Sequence, residues 1–170
     1  MKHLVLISAL LLMSVASFGR KHVNETATVV ADTIYFAADQ TSVSNANQAV
    51  YYRLLLTQGT GLNKENVFTD YYMDGTLKAE GGYSFVDLSN DNNTVFNGKV
   101  TTYYVNGKEK LNGKYVNGKR EGYFTLQLRD GGVAVVAYDN GKSKFDYFMV
   151  TYPNGKQEKR PISEISSLLQ

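Results

Sequence analysis

Asp-Gly or Asn-Gly recurs along this chain at Asp74-Gly75, Asn106-Gly107, Asp130-Gly131 and Asn154-Gly155, at intervals of 32, 24 and 24 residues. No other feature constrains the fold as tightly. These dipeptides favour tight hairpin turns, because Gly, and less readily Asn and Asp, tolerate the positive φ that a type I′ turn needs at both central positions. A fixed period of this length marks a repeat whose unit is one supersecondary element, here a hairpin. The register extends beyond the turns. Tyr72, Tyr104, Leu128 and Tyr152 stand three residues before the glycines, and Asn66, Gly98, Gly122 and Asp146 stand nine before them. The first interval is eight residues longer than the others. The surplus falls on Leu88–Thr94 (LSNDNNT), where the next unit has only the compact turn Asn117-Gly118. That stretch reads as an enlarged, solvated loop. With Gly118 and Gly141, the glycines Gly75, Gly107, Gly131 and Gly155 make six structural turn positions.

Between turns the residues alternate with period two, the signature of half-buried strands. One face collects Phe68, Asp70 and Tyr72; Val100, Thr102 and Tyr104; Phe124, Leu126 and Leu128; and Phe148, Val150 and Tyr152. This face is the predicted core. The opposite face carries Tyr71, Tyr103, Gln127 and Thr151, with Tyr123 and Tyr147, a mixed aromatic and polar surface. Return strands are expected over Leu77–Val86, Lys108–Val116 and Val133–Tyr138, with a short one after Gly155. Upstream, Thr28–Ala37 and Ala49–Thr57 read as strands around a polar turn at Asp39–Ser44. At the other end Pro161 suits a first helical position, and Ile162, Ile165 and Leu169 follow at helical spacing. The expected fold is therefore all-β: an antiparallel meander of successive hairpins, closed by a short C-terminal capping helix. Because exposed sheet edges invite pairing with other chains, the ends should be covered.

The chain has 170 residues, 43% of them hydrophobic and 12% aromatic, which is enough for one domain with a real core. Residues 1–19 read as a signal peptide: a basic start at Lys2 and His3, an apolar run from Leu4 to Met13, and small residues at Ala16 and Gly19 that permit cleavage before or near Arg20. Residues 20–66 then lead into the sheet, 67–160 carry the repeats and 161–170 form the cap. With no other long apolar stretch, no transmembrane segment is expected after cleavage. The absence of cysteine excludes disulfides and thiolate chemistry. A net charge of +2 lacks the basic footprint of a nucleic-acid binder.

The phrases YYMDGTLKAEGGY, YYVNGKEKLNGKYVNGKREGY and TYPNGKQEK resemble MORN-like repeats of the variant found in the bacterial YwqK-type antitoxin family, over Val67–Lys159. Ile34–Leu56 is similar to the leader that precedes such repeats in exported proteins of Bacteroidota. The resemblance implies a repeat sheet serving as an interaction surface, without catalysis, and an antitoxin or immunity-type role. Leu128 in place of the repeat tyrosine, and Asp146 in place of the repeat glycine, mark the later units as degenerate.

Catalytic chemistry finds little to use. Phosphate cradling needs a glycine-rich loop feeding a helix N-terminus, whereas here Gly-Lys leads into strands. Lys108, Lys114, Lys119, Lys142 and Lys156 read as a solvated rim, balanced by Glu109, Glu121 and Glu158. A serine nucleophile needs a base, and the only histidines are His3 and His22. Asp70 and Glu80 lie in or beside strands, where a hydrogen-bonded or solvent-facing carboxylate is expected. Asp87–Asn93 offers alternating oxygen donors, as a calcium loop does, but lacks the turn glycine and closing glutamate of an EF-hand. No metal and no cofactor are expected. Cross-strand pairing explains much of the tyrosine pattern, yet tyrosines on the less apolar face can also anchor a partner. Tyr71, Tyr103, Tyr123 and Tyr147 are the candidate partner-binding residues.

The sequence thus points to an exported, periplasmic or extracellular, non-enzymatic scaffold that binds another protein at the cell envelope. The alternatives are a carbohydrate- or peptidoglycan-binding module that uses the tyrosine face, and the immunity-type role that the resemblance implies.

Overall fold

Alternating apolar residues and Asx-Gly turns build a single antiparallel sheet. The computed structural model describes residues 28–29, 33–59 and 62–169. The predicted signal segment, its cleavage point before Arg20, and His3 and His22 lie outside these residues. The strands are β1 (Thr28–Val29), β2 (Ile34–Phe36), β3 (Ser42–Val43), β4 (Tyr51–Gln58), β5 (Glu65–Tyr72), β6 (Leu77–Phe85), β7 (Val95–Tyr103), β8 (Glu109–Val116), β9 (Lys119–Gln127), β10 (Val133–Asp139), β11 (Lys142–Ser143), β12 (Tyr147–Thr151) and β13 (Gln157–Pro161). From β4 to β10 each strand pairs with the next in the chain, then β10 pairs with β12 and β12 with β13. β2 lies on the far side of β4, with β3 beyond it at the edge, and β1 continues beside β4. Among the described residues, the strand predicted over Thr28–Ala37 is present as β1 and β2. The one predicted from Ala49 begins at Tyr51, after a 3-10 turn at Ala46–Gln48.

The turns differ from the type I′ geometry expected at every Asx-Gly. At the four periodic sites the loop has three residues. Gly75 donates its N–H to the Tyr72 carbonyl at 2.9 Å while Tyr72 N–H reaches Thr76, and the other three turns repeat this pattern. Only the glycine has positive φ, +86° at Gly75, and the preceding Asp or Asn does not. The Asx side chain instead accepts the N–H two residues on, as from Thr76 to Asp74, Lys108 to Asn106, Gly132 to Asp130 and Lys156 to Asn154. This is the three-residue hairpin with an αL glycine and an Asx-turn. Positive φ at both central residues occurs at Asn117-Gly118 and Asn140-Gly141, which are the two-residue turns.

The repeat tyrosine acquires a structural reason. Tyr104 OH donates to the Gln127 carbonyl at 2.7 Å and Tyr72 OH to the Tyr103 carbonyl at 3.4 Å. Gln127 and Tyr103 hold equivalent positions one unit further on, so each tyrosine ties its unit to the next. Leu128 has no hydroxyl, and Tyr152, in the last unit, donates to Glu158 instead.

The predicted core face is the buried one: Phe68, Val100, Phe124, Leu126, Phe148 and Val150 are all at most 3% exposed. Phe68, Phe96, Tyr115, Phe124 and Tyr138 form a continuous ring-to-ring chain across it, with centroids 5.2–5.4 Å apart. Glycine makes room for these rings. A Cβ on Gly113 would fall 2.3 Å from the Phe124 ring. The C-terminal cap is a 3-10 turn, Ile162–Glu164, followed by α1 (Ile165–Leu169), and it packs Ile162, Ile165 and Leu168 on this face. Pro161 is not the first helical residue, as predicted, but the extended last residue of β13 (ψ 137°).

The insertion is not a solvated ornament. Ser42 N–H bonds to the Ser89 carbonyl at 2.8 Å and Asp91 N–H to the Gln40 carbonyl at 2.9 Å, with a bridge between Thr41 and Asn90. It folds against the β2–β3 hairpin at the N-terminal edge of the sheet. At the other edge β13 carries Glu158, Lys159, Arg160 and Pro161, the charges and proline that discourage a further strand.

Candidate functional site

Two places gather polar chemistry: a buried ionic cluster on the core face and a tyrosine-bordered groove on the outer one. The cluster starts from register. Arg53 on β4 and Asp70 on β5 are directly opposed, on the inward side of their strands, and each is 1% exposed. The guanidinium binds Asp70 in a two-pronged contact, Nε to Oδ1 at 2.7 Å and Nη2 to Oδ2 at 2.8 Å. From the insertion, Asp91 accepts from Nη1 and from Nη2, the latter at 3.1 Å. Thr94 Oγ1 accepts from Nη1 at 3.0 Å and donates to Asp91 at 2.8 Å, and Tyr51 OH donates to Asp91 at 2.7 Å. The guanidinium also lies 4.6 Å from the centroid of the Phe68 ring.

Burial pushes the Asp70 carboxyl up, against the pull of Arg53. Burial acts on Asp91 in the same direction, but the Arg53 charge and the Tyr51 and Thr94 hydrogen bonds together hold it below the usual carboxylate range. Burial and Asp91 raise the Tyr51 phenol well above its ordinary value. Such perturbed groups often mark an active site. Here, however, all five guanidinium N–H groups are engaged within the cluster, and no buried side-chain polar atom among the described residues lacks a partner. A network of this kind locks the insertion to the sheet. Within the calcium-like stretch, Asp87 accepts from Ser89 and from Asn93 Nδ2, and Asn90 Oδ1 accepts from Asn92. Among the described residues no group of three or more acidic or histidine side chains is placed to hold a metal.

The outer face of β2, β4 and β5 carries a ladder of rings. Tyr35, Tyr52 and Tyr71 are cross-strand neighbours, with centroids 6.2 and 5.3 Å apart. Two strands on, Tyr103 OH donates to Glu80 at 2.8 Å. Burial pushes both the Tyr71 and Tyr103 phenols up, and Glu80 contributes to each. Beside these residues runs a groove of about 670 Å³ lined by Thr69, Glu80, Asn97, Lys99 and Thr101, with Gly81, Gly82 and Gly98 in its floor. The glycine floor is obligatory, since a Cβ on Gly82 would lie 2.0 Å from the Asn97 carbonyl oxygen.

The four candidate tyrosines therefore do not form one platform. Tyr71 and Tyr103 share the surroundings of Glu80. Tyr123, 74% exposed on β9, stacks on no ring among the described residues. Tyr147 sits near the C-terminal edge, paired with Phe145 at 5.3 Å and with the Lys159 ammonium 4.5 Å from its ring centroid. Lys108, Lys114, Lys119, Lys142 and Lys156 are all exposed, and Lys114 faces Glu121 across β8 and β9.

Sequence reasoning missed Tyr35, Tyr52, Arg53 and Asp91. Tyr52 was within reach, since AVYYRLLLT alternates and places it opposite in face to Tyr51, Arg53 and Leu55. The same alternation puts an arginine on an apolar face, which calls for a carboxylate. No local pattern says that Asp91, 38 residues away, supplies one. No protein-family model, curated protein or solved structure matches this chain.

Proposed function

We propose that this protein is an exported, non-enzymatic scaffold of MORN-like repeats that binds another protein at the cell envelope through the outer face of its sheet. The observation that carries this reading is the ladder Tyr35–Tyr52–Tyr71, continued by the Tyr103–Glu80 pair along an open groove. Half-exposed tyrosines held in place by cross-strand stacking offer apolar area at little conformational cost, as interface anchors do. The sheet edges suit the role less well: one ends in the two-residue β3 and the other in the charged β13. The signal-like opening supports export, and the closed Arg53 cluster supports a non-catalytic part.

A carbohydrate is the second reading. It is favoured by one specific arrangement, tyrosine rings beside a groove of hydroxyl, amide and carboxylate side chains. Pull-down from envelope extract by the full chain, compared with Tyr71→Ala and Tyr103→Ala, tests the proposal. Capture of a defined protein that both variants lose supports it. Capture unaffected by either variant removes the outer face from the interaction, and binding to purified saccharides without any protein favours the second reading.

A further inference from the structure

The tripeptide Asn-Gly-Lys occurs six times in this chain, beginning at Asn97, Asn106, Asn112, Asn117, Asn140 and Asn154. Asparagine before glycine is chemically labile, because glycine has no side chain to keep its backbone nitrogen away from the asparagine amide carbon. With the same two residues following each asparagine, sequence cannot rank the six. The fold can, through the bonds that each glycine N–H and each asparagine side chain makes.

Asn97 lies within β7 and Asn112 within β8, with Gly98 opposite Tyr115 and Gly113 opposite Val100 in the ladder. Asn97 Oδ1 also accepts from Asn117 N–H at 3.1 Å, and Asn112 Nδ2 donates to Thr101 Oγ1 at 3.3 Å. The two-residue turns are pinned to a neighbouring strand. Gly118 N–H donates to the Phe96 carbonyl on β7 at 2.8 Å, Gly141 N–H to the Arg120 carbonyl on β9 at 2.9 Å, and Asn140 N–H to Glu121 at 3.0 Å.

Asn106 and Asn154 are held differently. Both are exposed in three-residue loops, where Gly107 and Gly155 donate to Tyr104 and Tyr152 of their own hairpins. Freeing either nitrogen therefore opens one loop tip and breaks no bond between hairpins, the least costly kind of local opening. Each asparagine Oδ1 also accepts a backbone N–H, from Lys108 at 3.1 Å and from Lys156 at 3.0 Å. A donor on that oxygen stabilises the negative charge that develops there when the amide carbon is attacked.

We propose that Asn106 and Asn154 are the sites at which the folded protein deamidates, and that the aspartate product keeps the fold. The Gly107 nitrogen attacks Asn106 Cγ: a C–N bond forms, the Cγ–Nδ2 bond breaks, and the glycine proton leaves with the amide nitrogen as ammonia. Water then opens the resulting succinimide at either carbonyl carbon, giving aspartate or isoaspartate, with a carboxylate and a released proton in both cases. Gly155 and Asn154 react in the same way, and nothing is oxidised or reduced. The repeat already contains the aspartate product. Asp74 and Asp130 hold the same turn position, their Oδ1 atoms accepting from Thr76 N–H at 2.8 Å and Gly132 N–H at 2.9 Å. Conversion at both sites puts a carboxylate in every periodic turn along one end of the sheet and takes the formal net charge from +2 to zero.

Incubation of the full chain at mildly alkaline pH, folded and in denaturant, followed by peptide mapping that separates aspartate from isoaspartate, tests this. In the folded chain Asn106 and Asn154 should deamidate roughly tenfold faster, or more, than the other four. In denaturant all six should react at similar rates. The double variant Asn106→Asp, Asn154→Asp should melt close to wild type. The proposal is overturned if Asn106 and Asn154 do not react in the folded chain, if any of the other four keeps pace with them there, if the ranking persists in denaturant, or if the double variant melts far below wild type.

Discussion

Arg53, Asp70 and Asp91 show what a buried charge demands of its surroundings. Replacing Arg53 with Leu would leave the buried Asp70 and the partly buried Asp91 without the guanidinium that binds both. Breaking a buried pair in this way typically costs about 3–5 kcal/mol, so the variant should show a large fall in denaturation midpoint, and an unchanged midpoint would mean that the cluster is not structural. The cluster also predicts an acid response with a definite sign. Asp91 is held below its unfolded value of about 3.9, so its contribution is complete above that pH and is lost as pH falls through the lower folded value. Asp70, pushed up by burial, runs the other way and takes up its proton at higher pH in the fold than in the unfolded chain. Asp91→Asn should therefore melt well below wild type at pH 7, and the two melting curves should converge as pH falls through the lowered folded value. A gap that stays constant across that range would show that Asp91 does not act through its charge. None of this was legible beyond the buried Asp70 position. Period-two alternation assigns a face, but the partner of an inward arginine is set by a loop that returns from a distant part of the chain.

At the scale of elements, turns and strands were readable because each hairpin writes its own signal in adjacent residues. Turn type was not, because Asx-Gly suits both a two-residue loop and a three-residue loop with an αL glycine, and cross-strand pairing decides between them. The difference can be measured. Gly107 has φ +78° and open space where a Cβ would go, so Gly107→Val should lose roughly 1–2 kcal/mol through backbone conformation alone. Gly107→Asn should recover much of this, since Asn tolerates αL, and equal losses for both variants would contradict the assignment. Gly113→Ala fails for the opposite reason: it collides with the Phe124 ring and should cost about 1–3 kcal/mol as overpacking. The insertion hides its structure for a related cause. Its polar composition is that of a solvated loop, yet one aspartate points inward and its backbone pairs with Gln40 and Ser42. Replacing Leu88–Thr94 with a compact Asn-Gly turn regularises the repeat, but should destabilise the protein about as much as losing Arg53 does.

Over the whole molecule, one sheet separates two kinds of surface. The inner face joins an aromatic chain, the buried ionic cluster and the C-terminal cap into the part that folds, and the outer face keeps half-exposed tyrosines beside a polar groove. Truncating Phe124, Leu126 or Phe148 to Ala should cost roughly 2–5 kcal/mol through lost burial and the cavity left behind. Tyr71 and Tyr103 contribute cross-strand contacts worth roughly 0.2–1 kcal/mol each, so their loss should leave the fold nearly intact. The most direct measurement is a paired one on Tyr71→Ala, Tyr103→Ala and Phe124→Ala: thermal melting of each, beside its affinity for the envelope protein recovered by the wild-type chain. The account predicts that the two tyrosine variants melt close to wild type and bind at least tenfold more weakly, while Phe124→Ala melts far lower. Tyrosine variants that unfold as readily as Phe124→Ala, or that retain full affinity, would contradict it.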